Sequence, residues 1–252
     1  MKIALVGTGR MGKAVEALAA ERGHEITARF NTLRPLTSAH GIEDLCGADV
    51  AIDFTLPSVA SSHFSLYCAW RQPAVIGTTG WYEDVSDLQR LVEESGAAVV
   101  HAPNFSLGIA VVMHLLQTAG LLVDRLGEFD ATIHEMHHVG KVDRPSGTAL
   151  HMARTLLSSM TRKKRVKSEP HRGKVDPETL YVTASRVGSV FGAHTVTIDG
   201  DFDQIVLTHE AKSRNGFALG ALTAAEWLPG RKGLFTLGDV LFEKLHDVAN
   251  EE

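Results

Sequence analysis

The stretch that decides the fold is residues 1–12, MKIALVGTGRMG. Its apolar run at 3–6 fits a buried β-strand, and the following glycine-rich turn opens an Ala-rich helical segment at 13–22. Glycines here permit a tight turn and close approach of a pyrophosphate, and a helix N-terminus offers free N–H groups to phosphate oxygens. The stretch therefore predicts the first βα turn of a dinucleotide site, formed by Gly7, Thr8, Gly9, Arg10, Met11 and Gly12.

The next ninety or so residues repeat this alternation of strand and helix. Apolar runs predict further strands at 25–30, 49–54, 74–76 and 97–100, with helices from Pro57 to about 69 and over about 84–95. Such an order indicates right-handed crossovers and a parallel, helix-covered sheet of the Rossmann type. Open sheets of this kind bind ligands at the carboxyl ends of their strands. We therefore expect further cofactor contacts from Phe54, Gly77, Thr78, Thr79, Ala102, Pro103, Asn104 and Phe105.

The end of the second predicted strand bears on the choice of cofactor. An Asp or Glu at this place normally binds the ribose hydroxyls of NAD, whereas this chain has Asn31. A neutral amide does not repel a 2′-phosphate, and Arg10, Arg29 or Arg34 can attract one. The sequence therefore favours acceptance of NADPH, alone or alongside NADH; the alternative is that Arg29 and Arg34 are simply solvated.

The pattern changes after residue 106. A long apolar helix at 107–126 precedes a strand at 128–138, a helix at 148–157, a basic loop at about 161–177, and strands at 181–190, 194–198 and 204–209. Helical segments at 216–227 and about 237–248 close the chain. We predict an α/β protein: a Rossmann-like parallel-sheet domain (residues 1–106 and 215–252) completed by C-terminal helices, with an inserted α+β substrate and oligomerisation domain (107–214).

Residues 135–148, EMHHVGKVDRPSGT, carry the most chemistry in the chain. They place two imidazoles, His137 and His138, close to the ammonium of Lys141 and to a Ser-Gly-Thr helix start. A helix N-terminus can hold a carboxylate, and histidine donates protons near neutral pH. A metal site using His134, Glu135, His137 and His138 is the competing interpretation. The spacing matches no HExxH-type pattern and Lys141 would oppose a cation, so we expect no metal.

These motifs together resemble the 4-hydroxy-tetrahydrodipicolinate reductase (dihydrodipicolinate reductase) family of lysine and diaminopimelate biosynthesis. The resemblance runs nearly end to end and rests on residues 7–12, 52–55, 76–80, 103–106, 135–148, 192–195 and the closing LF…DV at 234–240. It implies reduction of a cyclic dicarboxylate by NADPH or NADH in a homotetramer built through the inserted sheets. It also implies His137 as general acid/base, Lys141 as second proton donor, and His138, Lys141, Gly147 and Thr148 as substrate contacts.

Two departures from the family pattern bear on substrate affinity and cofactor preference. Many members have Arg-His where this chain has Val139-Gly140, and the glycine loop is one residue shorter than GxGGRMG. Two other functions are compatible with the glycine turn. A neighbouring amino-acid or sugar dehydrogenase would need a different substrate motif, and a non-catalytic cofactor sensor would be expected to lose its proton donors.

Bulk properties exclude several function classes. A net charge of −5 and a pI of about 6.2 give no general electrostatic basis for binding nucleic acid. The basic run at 162–167 is then interpreted as a solvated loop. Cys46 and Cys68 are expected as buried free thiols, and the first strand leaves no room for a signal peptide. No apolar run reaches roughly 18 residues, so we expect a cytoplasmic protein with no membrane partner.

Overall fold

The computed structural model describes residues 1–81, 85–168, 172–241 and 243. The chain divides into two compact units, Met1–Leu107 with Arg214–Glu252, and Gly108–Ser213. In chain order its elements are β1 Lys2–Val6, α1 Arg10–Glu21, β2 Glu25–Phe30, a 3-10 turn Ile42–Leu45, β3 Val50–Asp53, α2 Pro57–Trp70, β4 Ala74–Ile76, α3 Val85–Ser95, β5 Ala98–His101, α4 Leu107–Leu126, β6 Asp130–His137, α5 Gly147–Ser159, β7 Arg165–Lys167, β8 Thr179–Arg186, β9 Ala193–Asp199, β10 Gln204–Glu210, α6 Asn215–Trp227 and β11 Gly233–Phe235.

The first unit is built on a six-stranded parallel sheet in the order β11-β5-β4-β3-β1-β2. Strands β3, β4 and β5 are buried along their whole length, as expected for a sheet covered by helices on both faces. Because the strands are parallel, their carboxyl ends meet at one edge, which is where the glycine turn lies. The predicted Rossmann-like fold class is confirmed.

Strand β11 was not predicted. Its three residues pair in parallel with Ala98–Val100 of β5 and add a sixth strand to the edge of the sheet. The residues before it, Arg231-Lys232, give no local strand signal, so only the partner strand fixes this segment. The predicted helix at about 237–248 extends beyond the described residues, and the start of the helix predicted at about 84 also lies outside them.

The second unit contains a mixed sheet in the order β10-β9-β6-β8-β7. Strand β6 pairs in parallel with β8 and antiparallel with β9, and it alternates buried and more exposed residues along its length. Helices α4 and α5 supply the apolar residues that cover the buried face, including Leu116, Met152 and Leu156. Strand ends at His137 and Arg186 therefore come to the same end of this sheet, since β6 and β8 are parallel.

The basic segment after α5 is less solvated than expected. Lys163 is only 4% exposed, and its Nζ donates to the backbone oxygens of Pro177 and Thr179 at 2.9 and 3.0 Å. Arg162 donates to the carbonyl of Gly127 at 2.6 Å. The next residues form β7 beside β8, and Arg165 pairs with the carboxylates of Asp176 and Glu178. Four of the five basic residues of the run are exposed, as predicted (Arg162, Lys164, Arg165 and Lys167). The prediction was wrong in two respects: Lys163 is buried, and residues 165–167 form a strand and not a loop.

Two further expectations are corrected. Helix α4 has 20 residues and an 18-residue window of mean hydropathy 1.7, so its length and composition alone would allow a membrane crossing. Length and composition are weak evidence for a membrane crossing, because four residues of this helix are buried in the core of the second unit (Ile109, Val112, Leu116 and Val123). Cys46 was expected to be buried but is exposed, at the end of the 3-10 turn; Cys68 is buried.

Candidate active site

In the glycine turn between β1 and α1, Gly7 and Gly12 are packed against backbone atoms, whereas Gly9 faces open space. Gly7 has φ +95°, and a Cβ there would lie 2.4 Å from the backbone oxygen of Phe54. A Cβ on Gly12 would lie 2.0 Å from the oxygen of Gly7. At Gly9, by contrast, a Cβ would meet no described atom within 4 Å, and the helix begins at the next residue. This is the open cradle that a pyrophosphate needs.

The neighbouring strand ends bring the other predicted cofactor residues to the same edge of the first unit. The ring of Phe54 lies so close to Gly77 that a Cβ there would sit 2.1 Å from it, and Phe105 packs edge-on at 5.9 Å between ring centroids. Thr78 donates from Oγ1 to the oxygen of Thr55 at 3.2 Å. The segments that follow β1, β3, β4 and β5 contain the other residues predicted for cofactor binding. Thr8, Thr79, Ala102, Pro103 and Asn104 lie in loops, and Arg10 and Met11 open α1.

A buried polar cluster fixes the loop after β3. Asp53 is fully buried; its Oδ1 accepts hydrogen bonds from the backbone and hydroxyl of Thr55 at 3.0 and 2.6 Å. Its Oδ2 lies 2.8 Å from Nδ1 of His63 and accepts from the hydroxyl of Tyr67 at 2.9 Å. Burial, with the Asp53 charge beside it, raises the pKa of Tyr67 well above 10. Nε2 of His63 reaches the oxygen of Leu36, which ties the loop after β2 to the same cluster.

The loop after β2 holds Asn31 by its own turn. Its Oδ1 accepts from the backbone nitrogens of Leu33 and Arg34 at 2.8 and 3.1 Å, an Asx turn. Arg29 is bound to Glu16 at 2.6 Å, whereas the Arg34 guanidinium lies over the Phe30 ring, 5.2 Å from its centroid. Arg29 thus has an acidic partner, whereas Arg34 has none among the described residues.

In the second unit, the functional side chains surround the carboxylate of Glu135 on β6. Glu135 is fully buried, and its Oε1 accepts from the backbone nitrogen of Ser146 at 2.9 Å and from Nη2 of Arg186 at 3.1 Å. Its Oε2 lies 3.4 Å from Nδ1 of His137 and 3.6 Å from Nε2 of His194. The rings of His137 and His194 meet edge-on at 5.1 Å between centroids.

The charges of this cluster follow from its surroundings. Burial raises the pKa of Glu135, but the nearby His194 ring and the hydrogen bonds from Ser146 and Arg186 outweigh that effect and lower the pKa to about 2. For His137, burial lowers the pKa to about 4; the nearby Glu135 carboxylate opposes this, and the positive charges of Lys141 and Arg186 add to it. At neutral pH the Glu135 carboxylate is therefore ionised and the His137 imidazole beside it is neutral.

The remaining substrate residues predicted from the sequence lie on the segment after β6. Lys141 binds Asp143 at 2.7 Å through Nζ, and its side chain is one quarter exposed. His138 is half-buried and follows the last residue of the strand. Helix α5 begins at Gly147, where a Cβ would meet no described atom within 4 Å; Ser146 caps it, its hydroxyl accepting from Ala149 nitrogen at 3.2 Å. His137, Lys141 and this helix start thus share one short segment.

Sequence reasoning missed two residues of this cluster as functional groups. Arg186 ends β8 and His194 lies on β9, so neither is near the motif in the chain. The only sequence signal was the GAHT stretch at 192–195, which includes His194. Ligand atoms of Glu135, His137 and His194 lie within 4.8 Å of one another, a grouping that can hold a cation. The Arg186 guanidinium on the same carboxylate opposes that use.

Comparison with known proteins gives consistent matches over both units. Residues 1–105 match the family model "Dihydrodipicolinate reductase, N-terminus", and residues 108–241 match "Dihydrodipicolinate reductase, C-terminus". The chain is 37% identical over 241 residues to the 4-hydroxy-tetrahydrodipicolinate reductase of Christiangramia forsetii, covering 96% of this chain and 98% of the relative. It is 36% identical over 242 residues to the enzyme of that name from Natronomonas pharaonis, covering 92% and 96%.

Solved structures show the same fold. A dipicolinate-bound dihydrodipicolinate reductase from Paenisporosarcina sp. TG-14 superposes with a TM-score of 0.76 at 21% identity, covering 94% of this chain and 97% of that one. An amine dehydrogenase from Mycobacterium smegmatis superposes less well, with a TM-score of 0.58 at 11% identity and coverages of 94% and 95%. At these identities the likeness concerns the fold alone.

Proposed function

Because the chain belongs to the dihydrodipicolinate reductase family, we propose that it reduces 4-hydroxy-tetrahydrodipicolinate to tetrahydrodipicolinate in lysine and diaminopimelate biosynthesis. The observation that carries the proposal is the segment that joins a buried histidine, His137, to Lys141 and to the N-terminus of α5. One unit thus provides proton donors and a carboxylate site, while the other provides the glycine turn for a nicotinamide dinucleotide.

The residues of the second unit divide the work on a dicarboxylate. The N–H groups at the start of α5, around Gly147 and Thr148, would bind one carboxylate, because a helix N-terminus favours negative charge. Lys141 and His138 would bind the other. Lys141 already binds a carboxylate, that of Asp143, which a substrate carboxylate can replace. A bound reduced nicotinamide supplies the hydride.

Proton delivery falls to His137 or Lys141. With its lowered pKa, His137 is neutral at pH 7, so it must gain a proton when substrate binds before it can act as an acid. A dianionic substrate favours this, since opposite charge raises a histidine pKa. Arg186 keeps Glu135 ionised beside it, which holds the proton on the imidazole rather than on the carboxylate.

Cofactor choice rests on the loop after β2. We propose that NADPH is used, alone or alongside NADH, with the exposed Arg34 guanidinium meeting the 2′-phosphate. Asn31 shapes this loop through its Asx turn and brings no negative charge to it. Replacing Arg34 by Ala should raise KM for NADPH and leave that for NADH nearly unchanged. Arg29→Ala is the matched control, because its guanidinium is bound to Glu16. Equal effects on both nucleotides would contradict the assignment.

The decisive test is oxidation of the reduced nicotinamide when the purified protein meets freshly generated 4-hydroxy-tetrahydrodipicolinate, with NADH and NADPH assayed separately. We expect rapid oxidation with at least one nucleotide, and a fall in kcat of about 10²- to 10⁴-fold in His137→Gln with cofactor binding unchanged. Nucleotide binding without turnover by the unmodified protein would contradict the proposal.

We also propose an assembly and a location. A homotetramer formed through the sheet of the second unit fits the exposed residues of its edge strand β10, among them Ile205 and Val206. Light scattering on the purified protein tests it, a monomer at working concentration being the contrary result. A cytoplasmic location is proposed from the low cysteine content and would be tested by cell fractionation.

A further inference from the structure

The two oxygens of the Glu135 carboxylate have different surroundings. Oε1 is held by the Ser146 backbone and by Arg186, at 2.9 and 3.1 Å. Oε2 accepts no hydrogen bond from the part of the chain that the structure describes, although it is buried. It lies at 3.4 Å from Nδ1 of His137, an atom that is likewise buried without a hydrogen-bond partner there. A carboxylate oxygen and an imidazole nitrogen thus face each other across one short gap.

Burying the Oε2 oxygen of Glu135 without a hydrogen-bond donor is unfavourable. A buried carboxylate oxygen without a donor carries an uncompensated desolvation penalty. The gap of 3.4 Å is longer than a good N–H···O hydrogen bond. Catalytic hydrogen bonds are often long before substrate binds and shorten in the complex. Once His137 is charged, the attraction to an ionised carboxylate would close the gap, because hydrogen bonds between charged groups are short and strong.

We propose that Glu135 is a positioning residue: its Oε2 accepts the Nδ1–H of His137, so that the proton delivered to substrate is the one on Nε2. The proposal rests on the proposed role of His137. In the transfer the Nε2–H bond breaks, its electron pair stays on the imidazole, and the reduced substrate ring accepts the proton. The neutral ring that remains keeps its proton on Nδ1 and regains the other from solvent.

The opposite edge of the imidazole supports this orientation. Nε2 of His137 lies on the side of Gly192, where a Cβ would come within 2.9 Å of it. The glycine therefore leaves this nitrogen the room that any larger residue would take. Ser146 and Arg186 hold the other carboxylate oxygen from two separate elements, so Glu135 cannot turn away from His137 without losing both hydrogen bonds.

His194 is the second imidazole near the same oxygen, at 3.6 Å through Nε2. That nitrogen is also within 3.3 Å of the Ser146 hydroxyl. His194 therefore has an alternative partner, whereas Nδ1 of His137 has only the carboxylate within reach among the described residues. The carboxylate is consequently assigned to His137, and His194 fills the space beside it.

The first measurement is made on the unmodified protein. Nitrogen NMR of isotope-labelled histidines in the unmodified protein reports which ring nitrogen of His137 is protonated at neutral pH. We expect the Nδ1–H tautomer, and the Nε2–H tautomer would overturn the proposal. His137→Gln identifies the signal. This readout does not depend on turnover, so an inactive protein with the Nδ1–H tautomer would contradict the proposed reductase function alone.

The second measurement uses Glu135→Gln, which keeps the shape and an oxygen for Ser146 but removes the charge. We expect kcat to fall by about 10²- to 10⁴-fold, as when a triad histidine loses its orienting carboxylate, with NADPH Kd unchanged. Glu178→Gln, at an exposed glutamate of the same unit, is the matched control and should keep full kcat. A normal kcat in Glu135→Gln would overturn the proposal. Glu135→Asp, which retains the charge on a shorter side chain, should recover part of the activity.

A metal-based reading of the same cluster predicts different results. If Glu135, His137 and His194 held a cation, chelator treatment of the purified enzyme would abolish activity and added Zn²⁺ would restore it. The positioning role predicts full activity in chelator. Dependence on added metal would overturn the assignment of Glu135.

Discussion

Binding of a dicarboxylate to this protein should take up a proton, and the proton should go to His137. The pKa of His137 is about 4, lowered by burial and by the positive charges of Lys141 and Arg186. At pH 7 only about one molecule in a thousand then carries the imidazolium. An acid catalyst so rarely charged would be ineffective, so substrate binding must change this value.

The required change is within the reach of one substrate carboxylate. Raising the pKa from about 4 to 7 needs roughly 4 kcal/mol, at 1.36 kcal/mol per unit. Two opposite unit charges about 4 Å apart interact by about 4 kcal/mol at an effective dielectric constant of 20. A dianion held by Lys141 and the start of α5 would provide this field. We therefore expect an uptake of about half a proton to one proton per site at pH 7.

Isothermal titration calorimetry tests this with pyridine-2,6-dicarboxylate as a stable dianionic probe. The heat of binding is measured at pH 7 in two buffers with different ionisation enthalpies, in the presence of saturating cofactor. The difference between the two heats gives the protons taken up. His137→Gln should bind the probe with almost no uptake. Equal heats in both buffers for the unmodified protein, or unchanged uptake in the variant, would refute the reasoning.

Three more predictions concern the pKa of His137, the space beside its ring and the glycine turn. The pKa of His137 is lower in the folded chain than its ordinary 6.5, so protonation at low pH favours the unfolded chain. The free energy of unfolding should therefore fall by about 3 kcal/mol as pH drops from about 6.5 to 4. In urea unfolding, His137→Gln should lack this part of the loss. Gly192→Ala should reduce kcat at least about tenfold, because the new Cβ would press against the His137 ring. Gly188 also has a positive φ but faces open space, so Gly188→Ala should lower stability and leave kcat unchanged. Similar kcat values for the two variants would contradict this. Gly12→Ala should unfold the glycine turn, whereas Gly9→Ala should keep its thermal midpoint and lose NADPH affinity, as measured by fluorescence titration.

The parallel sheet was predictable from sequence because its signals are local. The apolar run of β1, the glycine turn and the Pro57 start of α2 each lie within a few residues of the structure that they specify. Strand β11 was missed for the opposite reason, since three residues become a strand only by pairing with β5. Lys163 was misjudged for the same reason. A basic run predicts side chains exposed to solvent, but the Lys163 ammonium is buried because it donates to a backbone oxygen of a distant strand.

The candidate site divides along the same line. His137, Lys141 and Gly147 lie within eleven consecutive positions, so the motif alone shows an acid, a cation and a helix start together. What controls them comes from elsewhere in the chain: Arg186 on β8 keeps Glu135 ionised, and Gly192 next to β9 leaves room for the His137 ring. The proton donor can thus be named from its neighbours in sequence. Its charge state and orientation depend on strand pairing, because only the parallel register of β6 and β8 brings the guanidinium to the buried carboxylate.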